Sequence, residues 1–205
     1  IIPTIVLKKC AGVFSVALSN AINMSFTSGI FPSVFKIGHV IPLLKKPGSD
    51  VDDPSNYRPI TNLMTISKVF ERVTLSRLQP HVHGSANFSS YQSAYRRGHS
   101  TETAILKVAD DLNANMDTKS CSLLLSLDIS AAFDMLDINI LLSRMESDFG
   151  VTGMALNWIR SYLTDRECYV AVGECNSERW ACAEGVPQGS VLGPLMFFGY
   201  VSPIA

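Results

Sequence analysis

Short apolar runs, without alternation of apolar and polar residues, lie between segments of helical periodicity. This order of segments constrains the fold more than any other feature of the sequence. One run is His39–Leu44, and another is Leu123–Leu127, which is nearly all apolar, as a strand covered on both faces would be. Two further strands are predicted at Glu167–Val172 and Ser177–Cys182, across a turn. Helices mixed with short strands of this kind favour an α+β fold over a doubly wound α/β sheet.

The helices are predicted from apolar residues at helical spacing and from caps. The first face ends at Gly29 with Pro32 following, and comprises Phe14, Leu18, Ile22 and Phe26. Later helices are predicted over Ile66–Val73, ending by Pro80; after a cap at Ser100 or Thr101; over Ile138–Phe149; and after a cap at Thr152. Both tryptophans, Trp158 and Trp180, are predicted to lie in the core.

Composition bounds the class of protein. A chain of 205 residues is predicted to form one domain, or one and a fraction. Only 17% of residues are charged and the mean hydropathy is +0.20, which indicates surface that packs against something else. The net charge of −1 gives no general signal for nucleic acid, and the composition excludes disorder and collagen-like repeats.

Two uncharged stretches, Cys10–Phe35 and Gly185–Ala205, are candidates for membrane spans. Neither contains the ~18 consecutive apolar residues that a spanning helix needs, so no membrane partner is expected. The five cysteines form no Cys-x-x-Cys pair and are predicted to be reduced thiols of an intracellular protein. The pair His81 and His83 has no third ligand nearby in the sequence, which favours a surface loop over a metal site.

An acidic residue ends the apolar run at Leu127, and a second follows six positions later. A buried strand seldom ends on an unpaired carboxylate, because an isolated buried charge is costly. A divalent cation is one partner that Asp128 could have. The alternative is that Asp128 caps the next turn while Asp134 is solvated.

Two loops carry residues suited to a nucleotide. In Gly185–Pro194, glycines permit close backbone approach and Gln188 supplies an amide, although an ordinary helix-entry turn has the same composition. The cations Lys45, Lys46 and Arg58 surround a polar loop and suit a triphosphate, although a solvated turn explains them equally.

Taken together, these segments resemble the reverse transcriptases of non-LTR retrotransposons, the long-interspersed-element type. Five blocks match in the family's order: Ile41-Pro-Leu-Leu-Lys-Lys-Pro-Gly48; Asn56-Tyr-Arg-Pro-Ile60 with Ser67-Lys-Val-Phe-Glu71; Tyr91-Gln-Ser-Ala-Tyr-Arg-Arg-Gly-His-Ser-Thr101; Leu127-Asp-Ile-Ser-Ala-Ala-Phe-Asp134; and Gly185-Val-Pro-Gln-Gly-Ser-Val-Leu-Gly-Pro-Leu195. Each block alone is weak, but five in order are specific.

The resemblance implies a right-hand polymerase made of fingers and a partial palm, with a small antiparallel sheet flanked by helices. Residues 1–36 would be an N-terminal helical extension, 37–120 a fingers-like region and 121–205 the partial palm. Its partners would be an RNA template, a DNA primer and dNTP, in the nucleus or cytoplasm. The related maturase and telomerase branches fit the wording of the blocks less well.

The resemblance also implies roles for single residues. Asp128 would be a catalytic metal ligand, and the Ile129 carbonyl would help to hold Mg²⁺ or Mn²⁺. Phe133 would lie beneath the sugar and exclude a 2′-hydroxyl. The remaining implied contacts to the incoming nucleotide come from Gln188, Gly189, Arg58 and one of Lys45 or Lys46.

One departure from the family weakens the prediction of activity. The family carries an aromatic-Ala-Asp-Asp hairpin after the Gly-Val-Pro-Gln-Gly block, and the chain ends at Ala205 before such a motif. Val108-Ala-Asp-Asp111 precedes Asp128 in a helical pattern and is not that hairpin. We therefore expect the metal ions only in the complete protein and no activity from this chain alone. The alternative is a non-catalytic remnant that binds nucleic acid or another partner.

Overall fold

The computed structural model describes residues 4–129 and 131–202. The helices are α1 (Thr4–Lys9), α2 (Ala11–Ser28), α3 (Thr65–His83), α4 (Thr101–Asp117), α5 (Ile138–Ser147), α6 (Gly153–Leu163) and α7 (Gly193–Val201). The strands are β1 (Ile37–Leu44), β2 (Tyr57–Asn62), β3 (Arg166–Val172), β4 (Cys175–Asn176) and β5 (Trp180–Cys182). Helices combined with one small sheet confirm the predicted α+β class.

The sheet is mixed and not purely antiparallel as predicted. β1 forms an antiparallel hairpin with β2, in which Val40 lies opposite Thr61. On its other edge β1 runs parallel to β3, with Gly38 opposite Cys168. β4 and β5 pair antiparallel with β3. The parallel pair is possible because α3 to α6 lie between β1 and β3 in the sequence and provide the long crossover that parallel strands need.

The apolar run Leu123–Leu127 is not a strand, and this prediction is wrong. Its residues form no helix or strand and have no strand partner among the described residues, and Leu123 is 93% exposed. The run therefore does not join the sheet that the structure describes. A segment becomes a strand only through hydrogen bonds to a neighbour, which a hydrophobic pattern alone does not supply.

The core lies among α3, α5, α6 and α7, and aromatic rings dominate one side of it. Phe31 is completely buried and makes edge-to-face contacts with Phe70, Trp158 and Tyr162, with ring centroids 6.1, 5.4 and 5.1 Å away. Such pairs each add about 0.5–1.5 kcal/mol beyond area burial. Trp158 is therefore a core residue as predicted, whereas Trp180 on β5 is 44% exposed and the prediction for it is wrong.

The predicted N-terminal helix corresponds to α2, and Gly29 ends it in the left-handed conformation. Its C-terminal end is attached to α6 by one hydrogen bond and to the residues that follow α2 by another. The indole nitrogen of Trp158 donates to Ser25 Oγ at 2.8 Å, and the Ser25 hydroxyl donates to the Ile30 carbonyl at 2.6 Å. Within the described ranges, no helix is long and apolar enough to cross a membrane.

The start of α4 follows its local sequence signal, whereas the end of α3 does not. Ser100 begins α4 with a capping box, in which Ser100 and Thr103 each accept the other's backbone N–H. By contrast, α3 continues through Pro80 to His83, beyond the predicted end. Proline lacks a backbone N–H and so removes one helical hydrogen bond. Because Pro80 lies in the last turn, this loss does not end the helix, which continues for three residues.

Candidate active site

The loop Gly185–Ser190 packs against the turn that contains Phe133. The Gly185 N–H donates to the Leu136 carbonyl at 2.9 Å, and the Val186 N–H donates to the Phe133 carbonyl at 2.8 Å. Gly185 has φ +81°, and a Cβ there would lie 2.7 Å from the Phe133 carbonyl oxygen. Only glycine fits this close approach, so the loop is held against the turn by its backbone.

The other side of the same loop is attached to β2. The Thr61 N–H donates to the Gln188 carbonyl oxygen at 2.8 Å. Gly189 follows with φ +110°, and a Cβ at this position would lie 2.8 Å from the Thr61 carbonyl oxygen. The loop therefore joins the β1–β2 hairpin to the Phe133 turn, as expected if both contribute to one site.

The side chain of Gln188 points to Asp134. Its Nε2 donates to Asp134 Oδ2 at 2.9 Å. Burial raises the pKa of the Asp134 carboxyl, and the hydrogen bond from Gln188 acts in the opposite direction. The sequence assigned Gln188 to the nucleotide and treated Asp134 as solvated in one interpretation, whereas the structure shows a contact between the two side chains.

Asp128 and Ile129 lie exposed in the irregular segment that follows α4. In residues 4–129 and 131–202, no three His, Cys, Asp or Glu side chains are grouped closely enough to hold a metal ion. Asp128 thus offers one carboxylate and Ile129 one carbonyl. These residues alone do not fit a complete Mg²⁺ site, which takes near-octahedral oxygen coordination.

The ring of Phe133 packs against α7. Its centroid lies 5.4 Å from that of Phe197, and a Cβ at Gly193 would lie 3.4 Å from the ring. Phe133 is half-buried, and its contact with Phe197 attaches the turn to α7. The sugar-contact role of Phe133 remains a prediction.

The three predicted triphosphate cations lie on or beside the β1–β2 hairpin. The Lys45 ammonium donates to the Ser55 carbonyl at 2.8 Å, across the base of the hairpin loop. Lys46 and Arg58 are exposed, and neither forms an ion pair with another described residue. Both remain available for an anion, which is consistent with their predicted role.

Sequence reasoning missed the function of Glu71, which fixes the far end of the loop. Glu71 lies on α3 and is completely buried. Its Oε2 accepts the Val191 N–H at 2.6 Å and the Leu192 N–H at 3.3 Å, and its Oε1 accepts the Ser67 hydroxyl at 3.1 Å. One signal was available in the sequence, namely an acidic residue next to Phe70 in a helix with an apolar face. A buried charge requires a partner, so such a residue indicates a structural contact.

The fold and the loop contacts define a class of protein, an α+β domain in which a Gly-Val-Pro-Gln-Gly loop connects a cationic hairpin to an acidic turn. A family model described as "Reverse transcriptase (RNA-dependent DNA polymerase)" matches residues 44–205. The chain belongs to this family.

Named relatives agree with the family match. Over 175 residues the chain is 34% identical to the "Probable RNA-directed DNA polymerase from transposon X-element" of Drosophila melanogaster, covering 83% of this chain and 18% of the relative. From the same organism, the corresponding polymerase from transposon BS is 31% identical over 82% of this chain and 18% of the relative, and that from mobile element jockey is 30% identical over 85% and 19%. The resemblance to non-LTR retrotransposon enzymes is thus confirmed, and the chain spans about a fifth of the length of these relatives.

Proposed function

We propose that this chain forms the nucleotide-facing part of an RNA-directed DNA polymerase. The complete protein would transfer a nucleotidyl group from dNTP to the 3′-hydroxyl of a primer paired with an RNA template. The observation that carries the proposal is the position of the Gly185–Ser190 loop, hydrogen-bonded to β2 on one side and to the Phe133 turn on the other. A nucleotide bound at this loop would lie within reach of residues from both regions.

The chemistry of each residue indicates its proposed role. The Gln188 amide would hydrogen-bond the incoming nucleotide, and Gly189 would let it approach the backbone closely. Lys46 and Arg58 would neutralise the triphosphate, as exposed cations do. Phe133 would contact the sugar. Asp128 and the Ile129 carbonyl would contribute to Mg²⁺ or Mn²⁺ binding in the complete protein, together with ligands from elsewhere.

Template contact is proposed for the segment before α4. Tyr91 and Tyr95 are exposed and would stack on bases, while Arg96 and Arg97 would meet the phosphates. The Arg96 guanidinium lies 5.4 Å from the centroid of the Phe88 ring, which holds this cation at the surface of the domain. The whole protein would act in the nucleus or cytoplasm.

The decisive experiment is RNA-templated primer extension by a longer protein that contains this chain. Gln188→Ala should lower kcat/KM for dNTP about 10- to 100-fold, because it removes a hydrogen bond worth about 1.5–3 kcal/mol. Gln79→Ala, which removes another half-buried amide, is the matched control and should retain activity. Equal activities of the two variants would refute the nucleotide role. A folded wild-type protein that binds RNA but never extends a primer would favour the non-catalytic alternative.

A further inference from the structure

Two cysteines lie together on neighbouring strands, away from the proposed nucleotide loop. Cys168 is on β3 and Cys182 is on β5, and their sulfurs are 2.6 Å apart. In the strand register Arg166 lies opposite Cys182, and Cys168 lies opposite Trp180. Both cysteines thus project from the same face of the β3–β5 ribbon, because side chains two positions apart on a strand share a face.

We propose that Cys168 and Cys182 form a reversible dithiol–disulfide site that bonds β5 covalently to β3. The partner is a two-electron peroxide oxidant such as hydrogen peroxide. The pair needs no change of register to react, since the two sulfurs are already in contact across the ribbon. This chemistry does not depend on the polymerase function proposed above.

The surroundings of the two thiols set the order of the reaction. Cys168 is buried, and burial raises the pKa of its thiol to about 12, which keeps it protonated and unreactive towards solutes. Cys182 is half-buried and reaches solvent. Peroxide therefore oxidises Cys182 first, and Cys168 acts as the resolving thiol because it is already in contact.

The atoms and electrons balance in two steps. The Cys182 thiolate attacks one peroxide oxygen, the O–O bond breaks, and the sulfur becomes a sulfenic acid while the leaving hydroxide is protonated to water. The Cys168 sulfur then attacks the Cys182 sulfur and expels hydroxide, which takes the Cys168 proton as a second water. Two thiols and one peroxide thus give one disulfide and two waters.

The bond would act on the strand that leads into the nucleotide loop, since Cys182 precedes Gly185 by three residues. It would also close a loop of about 15 residues in the unfolded chain. The entropy model for such a loop predicts a rise in Tm on the order of 6–12 °C for a chain of this size.

Peptide mapping of the 205-residue chain after peroxide treatment and alkylation tests the proposal. Trypsin cleaves after Arg166 and Arg179, so that Cys168 and Cys182 fall on different peptides. Because Cys175 shares the peptide of Cys168, the mapping uses a Cys175→Ser variant, which removes an exposed thiol from the same ribbon. The expected product is a linked pair of peptides that separates on reduction.

Two cysteine variants, compared by peptide mapping and by Tm, test whether Cys182 forms the bond. Cys182→Ser should abolish both the linked peptides and the rise in Tm on oxidation, while Cys175→Ser should retain both. Alkylation of Cys168 and Cys182 on separate peptides after peroxide treatment would overturn the proposal. So would a linkage that joins either residue mainly to Cys10 or Cys121 in the monomeric chain.

Discussion

Replacement of Glu71 is the sharpest test of how the Gly185–Ser190 loop is held at its C-terminal end. Its carboxylate accepts the backbone N–H groups of Val191 and Leu192 at 2.6 and 3.3 Å, immediately before α7. A carboxylate at this position also interacts favourably with the positive end of the α7 dipole. Glu71→Ala would leave these donors without their partner, and water would have to enter a buried site to replace it.

The expected loss follows from these two bonds. A hydrogen bond to a charged acceptor contributes about 1.5–3 kcal/mol, and the longer bond to Leu192 is assigned about 1 kcal/mol. Glu71→Ala should therefore lower the free energy of unfolding by about 2.5–4 kcal/mol. Glu71→Gln keeps one carbonyl oxygen for the Val191 N–H and should cost no more than about 2 kcal/mol.

Urea denaturation measures this loss, with Glu146→Ala as the matched control because Glu146 is an exposed helical glutamate. The midpoint should fall without a change in m, and hydrogen exchange at the Val191 and Leu192 amides should accelerate. The reasoning fails if Glu71→Ala loses less than about 1 kcal/mol, or if its amides exchange as slowly as those of the wild type.

Three further predictions concern the loop and the turn. Gly189→Ala should destabilise the domain by about 1–3 kcal/mol or more in thermal melts, because its Cβ would overlap a carbonyl oxygen of β2. Gly48→Ala, with φ +83° but open space around it, should cost less, and equal costs would contradict the overlap. Burial raises the pKa of Asp134, so stability should fall as the pH rises from the carboxyl's ordinary value of 3.8 through the raised value. The Tm of Asp134→Asn should depend less on pH than that of the wild type. An unchanged dependence of Tm on pH would contradict the role of Asp134. In a longer active protein, Phe133→Val should raise rNTP use relative to dNTP about 100-fold, and an unchanged ratio in a folded variant would remove the sugar-contact role.

Local signals predicted the parts of the fold that local interactions determine. The cap at Ser100 and the left-handed glycine after α2 were recognisable because the chemistry lies within a few residues. The strand prediction for Leu123–Leu127 was wrong because an apolar pattern specifies only a surface, whereas a strand also needs a hydrogen-bonding partner. The parallel pairing of β1 with β3 was equally invisible, since it joins segments more than a hundred residues apart.

The candidate site shows the same division. Residue type and order were sufficient to predict roles for the loop with Gln188 and for the hairpin cations, and these roles remain predictions. The sequence did not identify Asp134 as the partner of Gln188, since that contact depends on the turn that precedes Asp134. In this turn the Asp134 N–H donates to the carbonyl of Ala131, a residue with φ +51°. Side-chain partners set by such a turn follow from backbone conformation, which residue types alone do not specify.

Backbone hydrogen bonds and the Glu71 carboxylate hold the Gly185–Ser190 loop and the residues that follow it, and neither uses the Gln188 amide. Gly185 and Val186 bond to the Phe133 turn, the Gln188 carbonyl accepts from β2, and Glu71 takes the N–H groups at the far end. A glutamine amide has two N–H donors and one carbonyl acceptor, and the bond to Asp134 uses one donor. One N–H and the carbonyl oxygen remain for a ligand, so a nucleotide could bind Gln188 without breaking its contact to Asp134. The same contact would orient the amide before the nucleotide arrives. The entropy cost of ordering this side chain would then not reduce the free energy of nucleotide binding.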